Sequence, residues 1–178
     1  MPFIGLSKPK QQAVSEALRV GDTLPASEEF TSSAPYGVIA FLRHVGCPFA
    51  ENTVKQLRNW ADNHDNAAVF IVSHGDAEST ESWLMSIGGL GKLKLVIDEN
   101  RETYGRWGIG YSNLWHFSGL SSLVGVIALL MKGIRNRNAC GTRWQRSAMF
   151  LVDDKNILWA HNAKSAEELL LPAESILQ

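Results

Sequence analysis

Hydrophobic and polar positions change period several times along this chain, and each change marks an element. Gly37-Val38-Ile39-Ala40-Phe41-Leu42 is wholly apolar and six residues long, as expected of a strand buried on both faces. Beyond the stretch 43–49 the period becomes helical: Ala50, Val54, Leu57 and Ala61 share one face, while Glu51, Asn52, Lys55, Gln56, Arg58 and Asn59 take the others. Ala67–His74 is a second β-branched, apolar run, and Gly75-Asp76 turns the chain into a predicted helix over Glu78–Ile87 that opens with acidic residues. Leu93–Ile97 forms a short third strand, and a helix begins at Asn100–Trp107. Ala148–Asp153 and Ile157–His161 pair as a hairpin around the turn Asp153-Asp154-Lys155-Asn156. Upstream, Pro9–Leu18 reads as a short helix leading to the turn Gly21–Pro25. Downstream, Ser165–Leu170 and Ala173–Leu177 read as helical turns separated by Pro172. Strands alternating with helices at this spacing predict an α/β domain built from βαβ units with a largely parallel sheet.

One segment fits no regular pattern. Gly108–Ser122 mixes Tyr111, Trp115, His116 and Phe117 with small residues, and Leu123–Met131 is a nine-residue apolar run broken only by Gly125. About 20 apolar residues are needed to cross a bilayer, so stable membrane insertion is not expected. A buried helix, a lid lining a substrate and a subunit face all stay open, the last leaving room for a homodimer. The expectation is a single domain over residues 1–178, with residues 108–146 as an insertion or lid within it.

Composition adds two points. Two cysteines among 178 residues are too few for a secreted disulfide framework, and Met1–Lys10 lacks the pattern of a secretory signal, so a cytoplasmic home is the expectation. Net charge is −1, yet Thr103–Val152 holds six basic residues (Arg106, Lys132, Arg135, Arg137, Arg143, Arg146) and none of the 18 acidic ones. That excess would suit an anion or a thiolate nearby, or simply face solvent. Nucleic acid is disfavoured, because the interleaved aromatics of a nucleic-acid surface are missing.

The candidate chemistry sits where the first strand gives way to its helix. Pro48 suits the first helical position, which puts Cys47 at the N-cap, facing the helix dipole. Arg43 and His44 lie within the same turn, and cations there favour thiolate over thiol. A buried, inert cysteine is the plain alternative.

Phe41-Leu42-Arg43-His44-x-Gly46-Cys47-Pro48-Phe49 resembles the peroxiredoxin-like (AhpC/TSA-type) branch of the thioredoxin fold, and Gly141-Thr142-Arg143-Trp144-Gln145 with the late hairpin resembles its closing segment. The resemblance implies a thioredoxin-like fold with a central mixed sheet flanked by helices, and an antioxidant thiol oxidoreductase that reduces a hydroperoxide or related electrophile through Cys47. It also implies a catalytic arginine near the late strand, for which Arg143 is preferred over Arg146, and a thiol reductant of glutathione or thioredoxin type. The pattern departs from the family at three positions. Ala40 and His44 stand where such proteins carry proline and threonine, and Ala50 stands where many carry a second cysteine. Exchange within one helical turn is therefore impossible. Resolution of an oxidised Cys47 falls to Cys140, to a cysteine of another chain or to a small thiol.

His44 is a candidate catalytic residue as donor or base beside Cys47. Strand alternation points Arg43 toward solvent, where a surface salt bridge is its plain role. Arg43, Trp144 and Arg146 are candidate substrate-binding residues. His64, His74, His116 and His161 are scattered, and a zinc site on His44-x-x-Cys47 lacks partners, so no metal is expected. No phosphate-binding glycine motif or nucleophile elbow occurs, so no cofactor is expected. Two rivals to the peroxidase remain: a thioredoxin-fold enzyme recruited for small-molecule biosynthetic chemistry, and a non-catalytic binding or dimerisation module.

Overall fold

The computed structural model describes residues 9–10, 12–112, 128–131, 133–134, 137–165, 168–173 and 176. Part of the expected 108–146 insertion, including Trp115, His116, Phe117, Leu123 and Arg135, lies outside them.

The first predicted strand is β1 (Tyr36–Phe41), followed by α1 (Pro48–Asp62), β2 (Ala67–Ser73), α2 (Ala77–Ser86), β3 (Lys94–Ile97), α3 (Glu102–Arg106), β4 (Ala148–Val152) and β5 (Ile157–Asn162). The five strands form one sheet in the order β3-β2-β1-β4-β5. β1, β2 and β3 run parallel, whereas β4 runs antiparallel to β1 and β5 antiparallel to β4. The sheet is therefore mixed. Spacing of the early βαβ units correctly gave the parallel half, and the hairpin supplies the antiparallel half.

Strand periodicity divides the core in two. On one face Val38, Ala40, Val69, Ile71, Met149 and Leu151 pack against Ala50, Val54, Leu57 and Ala61 of α1 and Trp83 and Leu84 of α2. On the other, Ile39, Phe41, Phe70, Val72, Phe150 and Val152 pack against Tyr104 and Trp107. Phe41 sits in an edge-to-face cluster, 5.0 Å from Tyr104 and 6.1 Å from Phe150 between ring centroids. Emptying such a position costs about 3–5 kcal/mol, and a one-residue slip of β1 would exchange the side chains of both layers.

Two expectations fail at the ends of the chain. Pro9–Leu18 contains no helix among its described residues. Instead Ser15 N–H donates to Gly105 O at 3.0 Å, and the backbone of Ala13 and Glu16 presses so close to Gly105 and Gly108 that a Cβ at either would lie 2.6 Å or less from a carbonyl oxygen. Ala13, Val14 and Ala17 stay exposed, so a helix here would bury no apolar face, and docking of the extended backbone wins. At the other end, the described residues of Ser165–Leu170 are not helical, and Ile176 belongs to a 3₁₀ turn. Among the described residues no helix is long and apolar enough to cross a membrane.

Candidate active site

Three parallel strands deliver polar residues to one end of the sheet. Past β1 come Arg43 and His44, past β2 His74, and past β3 Asp98. These sit at the carboxyl ends of strands, where α/β sheets place their chemistry. The register Phe41↔Val72 sets His44 and His74 on adjacent strand ends although thirty residues separate them in sequence.

Cys47 occupies the N-cap of α1 with φ −71° and ψ 129°, and Pro48 follows it. Its sulfur accepts no bond from the helix's first-turn amides. The donor it does meet is Arg43, whose Nη1 lies 3.8 Å from Sγ. Arg43 is 5% exposed and Cys47 2% exposed. Both placements correct the sequence reading: the helix amides do not hold the sulfur, and Arg43 does not face solvent. β1 ends at Phe41, so strand alternation no longer governs residue 43.

The loop 43–47 is strapped down by residues 137–140. Val45 and Cys140 exchange both backbone bonds, at 3.1 and 3.3 Å, and Arg137 N–H donates to Gly46 O at 3.0 Å. Gly46 has φ +82°, and a Cβ there would lie 2.3 Å from Asn138 O, so only glycine permits the contact.

Charge around the sulfur comes from fewer residues than the basic stretch suggested. Arg137 Nε pairs with Glu51 Oε2 at 3.2 Å, and Lys55 Nζ with Glu51 Oε1 at 2.6 Å. Glu51, expected on a polar face, is buried by these two cations. Arg106 pairs with Glu29, and Arg146 donates to Ala163 O at 3.2 Å. Lys132 and Arg135 lie outside the described residues. Arg43 has no carboxylate partner among the described residues; its Nη2 donates to Arg143 O at 3.3 Å and its Nε has no partner. Arg143 thus reaches Arg43 through its carbonyl; the residue is half-buried, and its Nε is buried and unpartnered among the described residues.

Burial, and then the charges of Arg43, His74 and Arg143, hold the His44 pKa well below the ordinary imidazole range. His44 is neutral near pH 7, with Nδ1 buried and unpartnered among the described residues. Burial likewise lowers His74 to about 4. Its Nε2 lies 3.1 Å from Thr142 O, an acceptor only, so Nε2 carries the proton. His74 and Tyr104 are the polar residues that sequence reasoning missed at this end of the sheet. Their signal was position: His74 directly follows a parallel strand beside the one that leads to Cys47.

Cys140 faces elsewhere. Its Sγ donates to Asp76 Oδ2 at 2.9 Å, and burial with that carboxylate pushes its pKa up. Asp76 also caps α2 through Ser79 N–H at 2.7 Å. Both cysteines are free thiols. Trp144 is largely buried, and its carbonyl accepts from Ser112 N–H and Oγ at 2.7 and 2.9 Å. Among the described residues no cluster of three metal-ligating side chains occurs.

A mixed five-stranded sheet carrying a lone N-cap cysteine after β1 defines a thioredoxin-like fold of the peroxiredoxin type. A family model described as AhpC/TSA antioxidant enzyme matches residues 53–165, and the chain belongs to that family. The matched span begins after Cys47. Among solved structures, a peroxiredoxin-like protein from Aquifex aeolicus is similar with a TM-score of 0.61 and 13% identity over 94% of this chain and 89% of that one. A thiol peroxidase from Chromobacterium violaceum gives 0.60 and 14%, covering 89% and 84%. A yeast mitochondrial 1-Cys peroxiredoxin, described by its thiol resolving mechanism via glutathione/thioredoxin systems, gives 0.54 and 18%, covering 82% and 68%. At these identities the likeness shows the fold alone. No curated protein matches the sequence.

Proposed function

We propose that this protein is a thiol oxidoreductase that reduces a hydroperoxide through Cys47. The observation that carries the reading is the Arg43 guanidinium: it is buried, has no carboxylate partner among the described residues, and lies 3.8 Å from Cys47 Sγ. A buried cation without a counter-charge is costly, and a thiolate at that distance supplies the missing negative charge. The fold and family support the same chemistry.

The thiolate attacks one oxygen of the O–O bond. An S–O bond forms, the O–O bond breaks, and the departing alkoxide or hydroxide takes up the proton released when the thiol ionised. Arg43 stabilises the charge as it moves from sulfur to oxygen. The neutral His44, with its unpartnered Nδ1, offers a polar contact to the bound oxygens, and Arg143 adds positive charge at the same end of the sheet. The sulfenic acid on Cys47 then condenses with an external thiol, releasing water, and a second thiol regenerates Cys47 as the external disulfide leaves. A monothiol of the glutathione kind or a thioredoxin-type protein suits this step, because Cys140 is already engaged with Asp76.

Hydroperoxide consumption in the presence of such a thiol, compared between the native protein and Cys47→Ser, tests the reading. Loss of consumption in the variant is expected. Equal consumption would end it, and the near-complete burial of Cys47 would then favour a non-catalytic module.

A further inference from the structure

Arg43 is the group on which the proposed chemistry turns, and two buried side chains outside the reacting atoms hold it from opposite ends. At its base, the preceding residue is locked between strands: Leu42 N–H donates to Val72 O at 2.9 Å, and the Tyr104 hydroxyl lies 2.7 Å from Leu42 O and 2.8 Å from Val72 O. One phenolic proton thereby clasps the ends of β1 and β2. At its tip, Arg43 Nη2 donates to Arg143 O, and the neighbouring carbonyl, Thr142 O, accepts from His74 Nε2 at 3.1 Å. His74 packs edge-on against Tyr104 with centroids 5.5 Å apart, so base and tip are tied to one buried unit. Gly141 is shaped for this closure. It has φ +85°, and a Cβ there would meet His74 Cδ2 at 2.6 Å.

We infer that His74 and Tyr104 are positioning residues for the Cys47 reaction, holding the Arg43 guanidinium against the sulfur by fixing the peptide before Arg43 and the carbonyl segment that receives its tip. Neither touches the reacting atoms. The inference rests on the proposed role of Cys47 and Arg43, but it can fail separately. A guanidinium fixed at both ends stays within reach of the sulfur, whereas a displacement of about 1 Å costs on the order of 10²-fold in rate.

The test follows hydrogen peroxide oxidation of Cys47 at neutral pH in the full chain carrying Cys140→Ser, trapping the sulfenic acid with dimedone and reading it by mass. Tyr104→Phe keeps the ring and removes only the hydroxyl; it should slow oxidation by about tenfold or more. His74→Ala should do the same, and His74→Gln, whose amide can donate to Thr142 O, should recover most of the rate. Thermal unfolding of each variant is measured in parallel, because a merely structural role would lower stability and leave the rate of the folded protein unchanged. Native rates in Tyr104→Phe while Arg43→Ala is slow would overturn the positioning role and leave the function intact. A native rate in Arg43→Ala would overturn the functional reading itself. Should His74→Ala fail to fold, Tyr104→Phe and His74→Gln decide.

Discussion

Cys140 bridges through its backbone to Val45, two residues before Cys47, yet the two sulfurs meet opposite electrostatics. Cys47 is enclosed and its sulfur meets a guanidinium; Cys140 is half-exposed and its thiol donates to a carboxylate. The more accessible sulfur is thus the one held as a thiol, and the buried one is the one offered a counter-charge. The proposed choice of nucleophile follows this difference, a cation beside one sulfur and a carboxylate beside the other.

The comparison breaks most sharply in single variants. Cys47→Ser is expected to abolish thiol-dependent hydroperoxide consumption, whereas Cys140→Ser should leave it nearly native; coupled consumption assays on the two check this directly. Arg43→Ala should slow Cys47 oxidation by about 10²-fold, the usual cost of removing one charge-stabilising donor, and Arg43→Lys should fall between.

The neutral histidines set a pH window. Burial lowers the folded-state pKa of His74 from 6.5 to about 4, so the unfolded chain takes up protons first as pH falls. Stability is full above about pH 6.5 and declines toward about pH 4, by roughly 3 kcal/mol from this residue. His44 acts in the same direction. Denaturant unfolding at a series of pH values should show the decline, and His74→Gln should flatten it.

The smallest effect sharpens the other half of the contrast. Asp76→Asn removes the charge facing Cys140 while keeping a good cap for α2. Alkylation of Cys140 at neutral pH, measured in the Cys47→Ser background, should then speed up by several-fold, each unit of lowered pKa being worth about tenfold in thiolate. An unchanged rate would mean that burial, and not Asp76, suppresses this thiol.

Much of the fold was legible because period and punctuation agreed. The apolar run before Arg43, the Pro48 start of α1 and the hairpin turn at Asp153 each follow from local chemistry, and Asp153 Oδ1 accepts from the Lys155 and Asn156 amides as that turn requires. In the candidate site Cys47, Arg43, His44 and Arg143 were named from the sequence, but not how Arg43 is placed. Arg43 looked exposed because alternation was carried past the end of the strand, and Glu51 looked solvated because its partners Lys55 and Arg137 come from one turn on and from a distant loop. His74 and Tyr104 join the site through strand register and α3, which no short window of sequence contains. The Pro9–Leu18 helix failed for a related reason: its docking surface is the bare backbone at Gly105 and Gly108.

The pairing of Cys47 with Arg43 is the claim on which the account stands, and the rate at which hydrogen peroxide converts Cys47 to its sulfenic acid tests it most directly. With Cys140 replaced by serine, the native site should react readily, Arg43→Ala about 10²-fold more slowly, and Cys47→Ser not at all. Equal rates with and without the Arg43 guanidinium would contradict it.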